Sequence, residues 1–368
     1  MITLDQNAPT VLIVHKDQIL NPVGVNGGAE MASLALAKSL CQAGVNVFFA
    51  GNLDELFWQS IAVEHNVHQG ICYLNLGPSY DTVRVFYEME EVYQVKSYHL
   101  IVMCCAQALL ESRYNEKIET RIFVDHEPSC NAFGVSPAVI ARIADQVVSV
   151  SSAQKEQLIK SHCPAEKISI IPNGVNLETF TPGDINLRDH RKLVFAGALV
   201  VDKGVHLLVE TYSLLKQKYS DLTLDIYGSA QMWSRENYFN LDYAKSLPSL
   251  TFHGAVNQHA LANAFKHAGL CVLPSIYFDS FNMTCAEAQA CGLPVIGSYH
   301  TGMRDIIIDG QSGILLKDVN RENLTAVCDA LLANQAALKQ MSQLALTMVR
   351  PKFDWALTAK CFLELLKV

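Results

Sequence analysis

Residues 274–288 read PSIYFDSFNMTCAEA and lie between two short apolar runs, 269–273 and 295–296. A Pro-Ser pair ends the first run, a helix start follows the loop, and a Gly-Leu-Pro turn precedes the second run. This order predicts a strand, a loop, a helix and a second strand, the repeating unit of a parallel α/β sheet. Two carboxylates, Asp279 and Glu287, stand eight positions apart and bracket the loop and the helix start.

The predicted helix start favours an anionic ligand. The first N–H groups of a helix have no intrahelical partner, and together with the helix dipole they favour a phosphate. An acid within the first helical turns can then reach a ribose diol beside that phosphate. The stretch therefore predicts a site for a nucleoside diphosphate that carries a further group.

The composition predicts two packed α/β domains. A chain of 368 residues is longer than one core usually supports, and half of its residues are hydrophobic. The net charge of −8 argues against non-specific nucleic-acid binding. No apolar run approaches the roughly 20 residues of a membrane span, and the first residues do not resemble a secretion signal. A soluble, cytoplasmic protein with at most peripheral membrane contact is expected.

The eleven cysteines show no Cys-x-x-Cys and no paired His/Cys spacing of the kind that zinc requires. Most lie inside apolar patterns, which is typical of reduced thiols that pack as small hydrophobic groups. No metal site is predicted.

Strand-like apolar runs alternate with helical patterns along the whole chain, which predicts parallel sheets with crossover helices. The predicted helices include 29–43 and 81–95. The predicted strands are 10–14, 45–50, 99–104, 121–124, 146–150 and 168–171 in the first half, and 192–196, 222–227, 251–252, 270–273, 295–296 and 313–315 in the second.

A polar, turn-rich stretch from Pro172 to Asp184 is the predicted hinge between two domains. The predicted domains are 1–180 and 181–351. The tail, 352–368, is predicted to be an amphipathic helix.

Gly27 and Gly28 lie at the first predicted strand–helix junction, in the sequence GVNGGAE of residues 24–30. Glycine lets backbone approach a ligand closely, and the following helix start supplies N–H donors. A simple tight turn is the alternative. The motif is not Gly-x-Gly-x-x-Gly, although Asp54 after the second strand leaves a dehydrogenase open. Glu30 is expected to cap its own helix start.

His126 follows a predicted strand, at the sheet edge where ligands gather in α/β folds. A lone histidine is also a common structural residue, so this position alone leaves its role open. Asp125 and Glu127 are its direct neighbours and cannot share its face on an extended chain.

The stretch from Pro274 onward resembles the donor-site signature of retaining glycosyltransferases with the GT-B fold, those of glycosyltransferase family 4. That signature has a Pro-Ser pair, a Glu, a Gly-Phe-Gly sequence and a second Glu. Asp279 occupies the position of the first Glu of the signature, and Glu287 matches the second Glu. Two other residues, Ser280 and Asn282, replace the two glycines of the signature.

The resemblance implies two doubly wound Rossmann-like domains facing each other across a cleft, with the C-terminal helix crossing back to the first domain. It implies that Asp279 binds hydroxyls of the donor sugar and that Glu287 binds the ribose. The backbone expected to meet the diphosphate belongs to Ser280, Phe281, Asn282, Met283 and Thr284.

Lys203 resembles the lysine with which the family neutralises the departing diphosphate; an exposed, structural lysine is the alternative. Ala198 stands where the family has an arginine. Two cations normally stabilise that developing charge in the family, and with alanine at this position one of them is missing. Arg304 is the candidate replacement. The resemblance also implies that His126 orients and polarises the reacting groups.

The predicted function is sugar transfer from a nucleoside diphosphate sugar, favoured as a UDP- or GDP-sugar, to a saccharide, lipid-linked or small-molecule acceptor. The resemblance implies same-face attack with retention, and neither metal nor cofactor is expected. Gly27 and Gly28 are expected to meet phosphate or acceptor. Two alternatives stay open, namely a degenerate module that binds nucleotide sugar without turnover, and an epimerase or phosphorylase of the same fold.

Overall fold

The computed structural model describes residues 4–15, 20–22, 27–62, 66–77, 79–104, 106–126, 134–229 and 241–368. Within these ranges the chain forms two compact units, each built on its own sheet. The first unit holds residues up to 174 together with 355–368, and the second holds 175–354.

The strands are β1 (Thr10–His15), β2 (Asn46–Gly51), β3 (Val67–His68), β4 (Ile71–Asn75), β5 (Tyr98–Met103), β6 (Ile118–Asp125), β7 (Gln146–Ser149), β8 (Ile168–Ile170), β9 (Asp189–Ala196), β10 (Thr223–Tyr227), β11 (Leu250–Gly254), β12 (Ala268–Val272), β13 (Val295–Ser298) and β14 (Gly313–Leu316). The α-helices are α1 (Gly28–Gln42), α2 (Glu55–Ile61), α3 (Thr82–Tyr87), α4 (Ala106–Ser112), α5 (Pro137–Ile143), α6 (Ser152–Lys160), α7 (Val205–Lys218), α8 (Leu241–Ser246), α9 (Gln258–His267), α10 (Met283–Ala290), α11 (Arg321–Leu332), α12 (Gln335–Leu344) and α13 (Trp355–Leu366).

The first unit has a sheet with the strand order β3-β4-β2-β1-β5-β6-β7-β8. All neighbouring strands are parallel except β3 and β4, which are antiparallel. Residues 11–14 of β1 are fully buried, as expected for a central parallel strand that helices cover on both faces. The strand order reverses between β1 and β5.

The second unit has a fully parallel sheet with the order β11-β10-β9-β12-β13-β14. This is the doubly wound arrangement, and its order reverses between β9 and β12. Ligands of open α/β sheets bind beyond the carboxyl ends of the strands at such a reversal. A ligand-binding site is therefore expected at the loops after β9 and β12.

All twelve strands predicted from apolar runs are present, with ends that differ by a few residues. The hairpin of β3 and β4 was missed. Its turn, Gln69 and Gly70, has both residues at positive φ (49° and 82°), and the run ICYLN that follows is the strand signal that could have revealed it.

Only the first part of the helix predicted over 81–95, residues Thr82–Tyr87, is α-helical. After α3, residues Glu88–Val92 widen into a π-helical turn. Glu90 in this turn accepts hydrogen bonds from Asn115 and Tyr98 and pairs with Lys117. These tertiary contacts do not register in the helical periodicity of the sequence.

The units divide at 174/175 and 354/355, rather than at the predicted 180/181 and 351/352. Residues 175–180 belong to the second unit because their backbone is bonded within it. The Val175 N–H donates to Phe353 O, and the Arg350 guanidinium donates to the carbonyls of Leu177 and Phe180.

The C-terminal helix α13 belongs to the first unit and packs against α1. The Thr358 hydroxyl donates to Pro172 O over 3.0 Å. Gly174 lies so close to the backbone of Trp355 that any Cβ there would overlap it. No helix among the described residues is long and apolar enough to cross a membrane.

Candidate functional site

Two loops at the reversal point of the second sheet are joined through their backbones. The loop after β9 contains Lys203, and the loop after β12 contains Asp279. The carbonyl of Asp202 accepts hydrogen bonds from the N–H groups of Ile276 (2.9 Å) and Tyr277 (3.1 Å). The predicted donor-site residues of both loops are therefore brought together.

Lys203 and Asp279 form a close ion pair, with Nζ and Oδ2 separated by 2.5 Å. The pair is largely shielded, since the side chains are 20% and 13% exposed. Burial alone would raise the pKa of Asp279, but the Lys203 ammonium, the Asn282 amide and the Phe281 N–H outweigh it and hold that pKa below its ordinary value. Asp279 is thus ionised and offsets the charge of Lys203.

The start of α10 faces this pair. Asn282 is the N-cap residue of the helix, at φ 68°, and its Oδ1 accepts from the Cys285 N–H over 2.8 Å. Its Nδ2 donates to Asp279 Oδ2 over 2.9 Å. Met283 and Thr284 are the first two helical residues and are partly exposed. Their N–H groups belong to the set that lacks intrahelical partners at any helix start.

The backbone between Asp279 and α10 is firmly held. Ser280 and Phe281 are buried, and the Phe281 ring meets Phe353 edge-on at 5.7 Å between ring centroids. The Gly302 N–H donates to Asp279 O over 2.7 Å, and a Cβ on Gly302 would overlap Ser280 O. This segment is therefore fixed before any ligand arrives.

Glu287 lies in the second turn of α10 and is only 7% exposed. Burial raises its pKa to about 8, against a weak opposing hydrogen bond of 3.4 Å from the Gln258 amide. At neutral pH the free protein therefore holds Glu287 largely protonated. A ligand that donates two hydroxyl hydrogen bonds, as a ribose diol does, would favour the ionised form.

Gly204, directly after Lys203, has φ 69°, and a Cβ there would overlap the Pro274 carbonyl. Gly254 has the same φ of 69° but open space around its Cα. We expect Gly204→Ala to destabilise the protein by about 2 kcal/mol more than Gly254→Ala, because both carry the left-handed backbone cost and only Gly204 adds a clash. Urea unfolding of the two variants checks this, and equal losses would contradict the close approach of the two loops.

Ala198, where a second cation was expected, is buried at 5% exposure and carries no charge. Arg304 lies in the short 3₁₀ turn Gly302–Asp305, whose first residue donates its N–H to the Asp279 carbonyl. Its proposed role as a replacement cation stays a prediction.

An aromatic pair that was not predicted from the sequence lies at the carboxyl ends of β10 and β11. The rings of Tyr227 and His253 stack with 4.4 Å between centroids and 9° between planes. His253 Nε2 is 3.0 Å from Asp225 Oδ1, and Lys192 Nζ lies 3.3 Å from the other carboxylate oxygen. Recognising the pair from the sequence would have required the register of β10 and β11.

The predicted residues of the first unit also lie at carboxyl ends of strands. His126 follows β6; its Nε2 is 3.2 Å from Asn173 Oδ1 and its Nδ1 is 3.7 Å from the Cys104 thiol. Burial lowers the pKa of His126, with the Asn173 hydrogen bond opposing it. The side chain is therefore a neutral, oriented imidazole, consistent with polarisation rather than with a cationic role.

A second buried histidine, His15, ends β1 and was missed from the sequence. Its Nδ1 is 2.8 Å from the Ser33 hydroxyl, and its Nε2 has no hydrogen-bond partner among the described residues. Burial and then the nearby His126 lower the pKa of His15 to about 3. Its place at the end of an apolar strand was the available signal.

Gly27 is the N-cap of α1, and Gly28 is its first residue. The buried Glu30 carboxylate lies over Gly27, where a Cβ would overlap it, in keeping with Glu30 turning back to its own helix start. Residues 24–26 and 127–128, which complete two predicted motifs, lie outside the described residues. Among the described residues no cluster of three or more His, Cys, Asp or Glu side chains could hold a metal ion.

Two Rossmann-like units, with the polar residues of the second gathered at its strand reversal, define the GT-B class of fold. The sequence pattern of the glycosyl transferases group 1 matches residues 182–347, and that of Glycosyltransferase Family 4 matches residues 134–179. Residues 134–179 and 182–347 of the chain thus carry the sequence patterns of these glycosyltransferases.

Two curated relatives show the sequence similarity. A D-inositol 3-phosphate glycosyltransferase of an Arthrobacter species is 30% identical over 60% of this chain and 55% of its own length. A lipopolysaccharide 1,2-N-acetylglucosaminetransferase of Salmonella typhimurium is 27% identical over 61% of this chain and 62% of its own. The chain thus spans little more than half of the length of the relatives it matches.

One solved structure shows the similarity of fold. HepE of Anabaena, crystallised with UDP and glucose, superposes with a TM-score of 0.75 at 17% identity, over 97% of this chain and 99% of its own. This likeness supports the fold.

Proposed function

We propose that the chain transfers a sugar from a nucleoside diphosphate sugar to a hydroxyl of an acceptor. The observation that carries the proposal is the convergence, in one unit, of the Lys203–Asp279 pair, the start of α10 and the buried Glu287. These groups match the three parts of such a donor, namely its sugar, its diphosphate and its ribose.

In this proposal the diphosphate lies on the first N–H groups of α10, beside the Lys203 ammonium. The bond between the sugar C1 and the diphosphate oxygen breaks, and the oxygen keeps the electron pair. Fixed positive groups stabilise the charge that develops on this oxygen, and such stabilisation usually contributes more to the rate than any other single effect. Asp279 binds a hydroxyl of the sugar, and Glu287 binds the ribose diol.

The acceptor hydroxyl is proposed to attack C1 from the face that the diphosphate leaves, with its proton passing to the departing diphosphate oxygen. Retention follows from this same-face attack, and no protein nucleophile is needed. His126, Gly27 and Gly28 are proposed to serve the acceptor side of the reaction. Neither a metal nor a cofactor is part of the proposed mechanism.

The relatives support the choice of substrates to try. UDP and UDP-glucose occupy structures of HepE, so a UDP-sugar is the first donor we propose. The curated relatives are named for an inositol phosphate and a lipopolysaccharide acceptor. We propose a saccharide, a lipid-linked saccharide or a small polyol as the class of acceptor, and residence in the cytoplasm.

A second candidate is a module that binds a nucleotide sugar without turnover. The observation that favours it is the ion pair itself, because Asp279 cancels the charge of Lys203 while Ala198 supplies no second cation. Such a module would bind the nucleotide sugar but would not cleave it, so no nucleoside diphosphate would be released.

The test is release of nucleoside diphosphate from UDP-, GDP- and ADP-sugars with EDTA present, using Glu287→Ala as the control. We expect slow release from one donor, insensitive to EDTA and lost in the variant. A different result would favour the binding module: tight nucleotide binding without release of nucleoside diphosphate, even after a panel of saccharide acceptors is added. Neither binding nor release would overturn the proposed site.

A further inference from the structure

Asn282 makes two hydrogen bonds with one side chain. Its Oδ1 accepts from Cys285 N–H and so caps α10, while its Nδ2 donates to Asp279 Oδ2. The same carboxylate oxygen is bound by Lys203 Nζ. One amide group therefore connects the start of the helix to the ion pair.

The choice of asparagine at this position is informative. A residue at φ 68° must tolerate the left-handed region, which Asn and Asp do better than other residues with a Cβ. The N-cap role suits Asn, Asp and Ser about equally. Of these three, only Asn offers an amide donor that cannot become an anion, and this donor is used on Asp279.

Two side chains donate to one carboxylate oxygen of Asp279. Lys203 and Asn282 both donate to Oδ2, and the Phe281 N–H also helps to lower the pKa of the carboxylate. An ionised carboxylate has about four acceptor positions. Acceptor positions therefore remain for a sugar hydroxyl, and the two bonds to Oδ2 fix their direction.

We propose that Asn282 is a positioning residue that holds the Asp279 carboxylate against Lys203 and so directs its remaining acceptor positions to a hydroxyl of the donor sugar. The role in donor binding rests on the proposed function. The hold on Asp279 does not, because it is made entirely by side chains of the protein.

The variants Asn282→Ser and Asn282→Asp separate the two bonds. Both offer an oxygen that can cap α10, and both lose the amide donor. Serine also tolerates φ 68° less well than asparagine, whereas aspartate tolerates it but adds a negative charge beside Asp279. Asn320→Ser is the matched control, because Asn320 caps α11 by accepting from Asn323 N–H over 2.8 Å and lies away from the Lys203–Asp279 pair. Thermal unfolding of all three variants reports whether the caps survive.

The first readout needs no ligand. The pKa of Asp279 is followed by ¹³C NMR of its carboxyl carbon, assigned with Asp279→Asn. Lys203 faces this carboxylate as a cation, and the Asn282 amide and Phe281 N–H also lower its pKa. The buried Cys285 thiol is the neighbouring titratable group on α10, and its pKa is raised by burial and by Asp279. We expect the pKa of Asp279 to rise in Asn282→Ser, to rise further in Asn282→Asp, and to stay unchanged in Asn320→Ser.

The second readout is the ratio of the affinity for the donor sugar nucleotide to that for its nucleoside diphosphate, measured for UDP-glucose and UDP and for any other donor that the panel reveals. We expect the ratio to fall about tenfold in Asn282→Ser, the usual effect of losing a hydrogen bond to a charged group. Binding of the diphosphate alone should change little.

An unchanged carboxyl titration in both Asn282 variants would overturn the proposal and reduce Asn282 to a helix cap. Equal losses for donor and diphosphate would overturn its role in directing the sugar. If no nucleotide binds even the unaltered protein, the proposed function fails, and the carboxyl titration still decides whether Asn282 holds Asp279.

Discussion

Replacement of Lys203 by alanine is expected to lower the rate of sugar transfer by a hundredfold or more. Lys203 is the cation at the strand reversal of the second unit, bound to Asp279 and beside the start of α10. Removing one fixed donor from a developing oxyanion typically costs about two to three orders of magnitude in rate. With alanine at position 198, that position supplies no second cation to compensate. The measurement is kcat for the donor that the panel identifies.

The matched control is Lys218→Ala. Lys218 also pairs with an aspartate, Asp329, at 2.7 Å, but this pair is exposed (58% and 35%) and lies on the helices α7 and α11. Exposed pairs contribute little, so the control should leave both rate and unfolding nearly unchanged. Lys203→Arg keeps the charge and should retain more activity than Lys203→Ala. If Lys203→Ala transfers sugar as fast as the control, the leaving-group role of Lys203 is wrong.

Glu287→Gln is expected to make the protein more stable at alkaline pH while weakening donor binding. Burial raises the pKa of Glu287 to about 8 from an ordinary value of 4.5. Between these values the folded protein keeps a proton that the unfolded chain has lost. Wild-type stability therefore falls as the pH rises through this window, by up to about 5 kcal/mol in the limiting case. Glutamine cannot ionise and escapes this loss.

Urea unfolding at pH 5, 7 and 9 checks this prediction. The advantage of Glu287→Gln should be small at pH 5 and largest at pH 9. Glu210→Gln, a change at an exposed glutamate of α7, is the control and should show no comparable trend. An advantage of Glu287→Gln that does not grow with pH would show that Glu287 is not held in its protonated form.

Donor binding supplies the functional half of the same prediction. Two ribose hydroxyls donate best to an ionised carboxylate, so binding should lower the pKa of Glu287 and release a proton near neutral pH. Calorimetry in two buffers of different ionisation enthalpy measures that proton. If the wild type releases no proton on donor binding, or if Glu287→Gln still releases one, then the ribose does not bind to Glu287.

The sequence was sufficient to predict twelve of the fourteen strands among the described residues, all but β3 and β4, and the residues that meet at the second reversal point. The predicted strands contain apolar runs, and Asp279 in the loop after β12 and Glu287 in α10 stand on either side of a recognisable helix start. Local pattern is enough for both features.

The remaining features depend on tertiary contacts. The sequence pattern predicted a role for the backbone of Asn282, whereas its side chain binds Asp279 because the left-handed N-cap turns it there. The pairing of His15 with Ser33 depends on how α1 lies beside β1. The unit boundaries depend on Arg350, which binds backbone carbonyls about 170 positions earlier in the chain. None of these contacts leaves a periodic signal in the sequence.

A crystal structure with the nucleoside diphosphate of the active donor tests the central claim most directly. We expect diphosphate oxygens within hydrogen-bond distance of the Met283 or Thr284 N–H and of Lys203 Nζ, with ribose hydroxyls on Glu287. A nucleotide bound away from the loops after β9 and β12, or bound there with its ribose turned from Glu287, would contradict it.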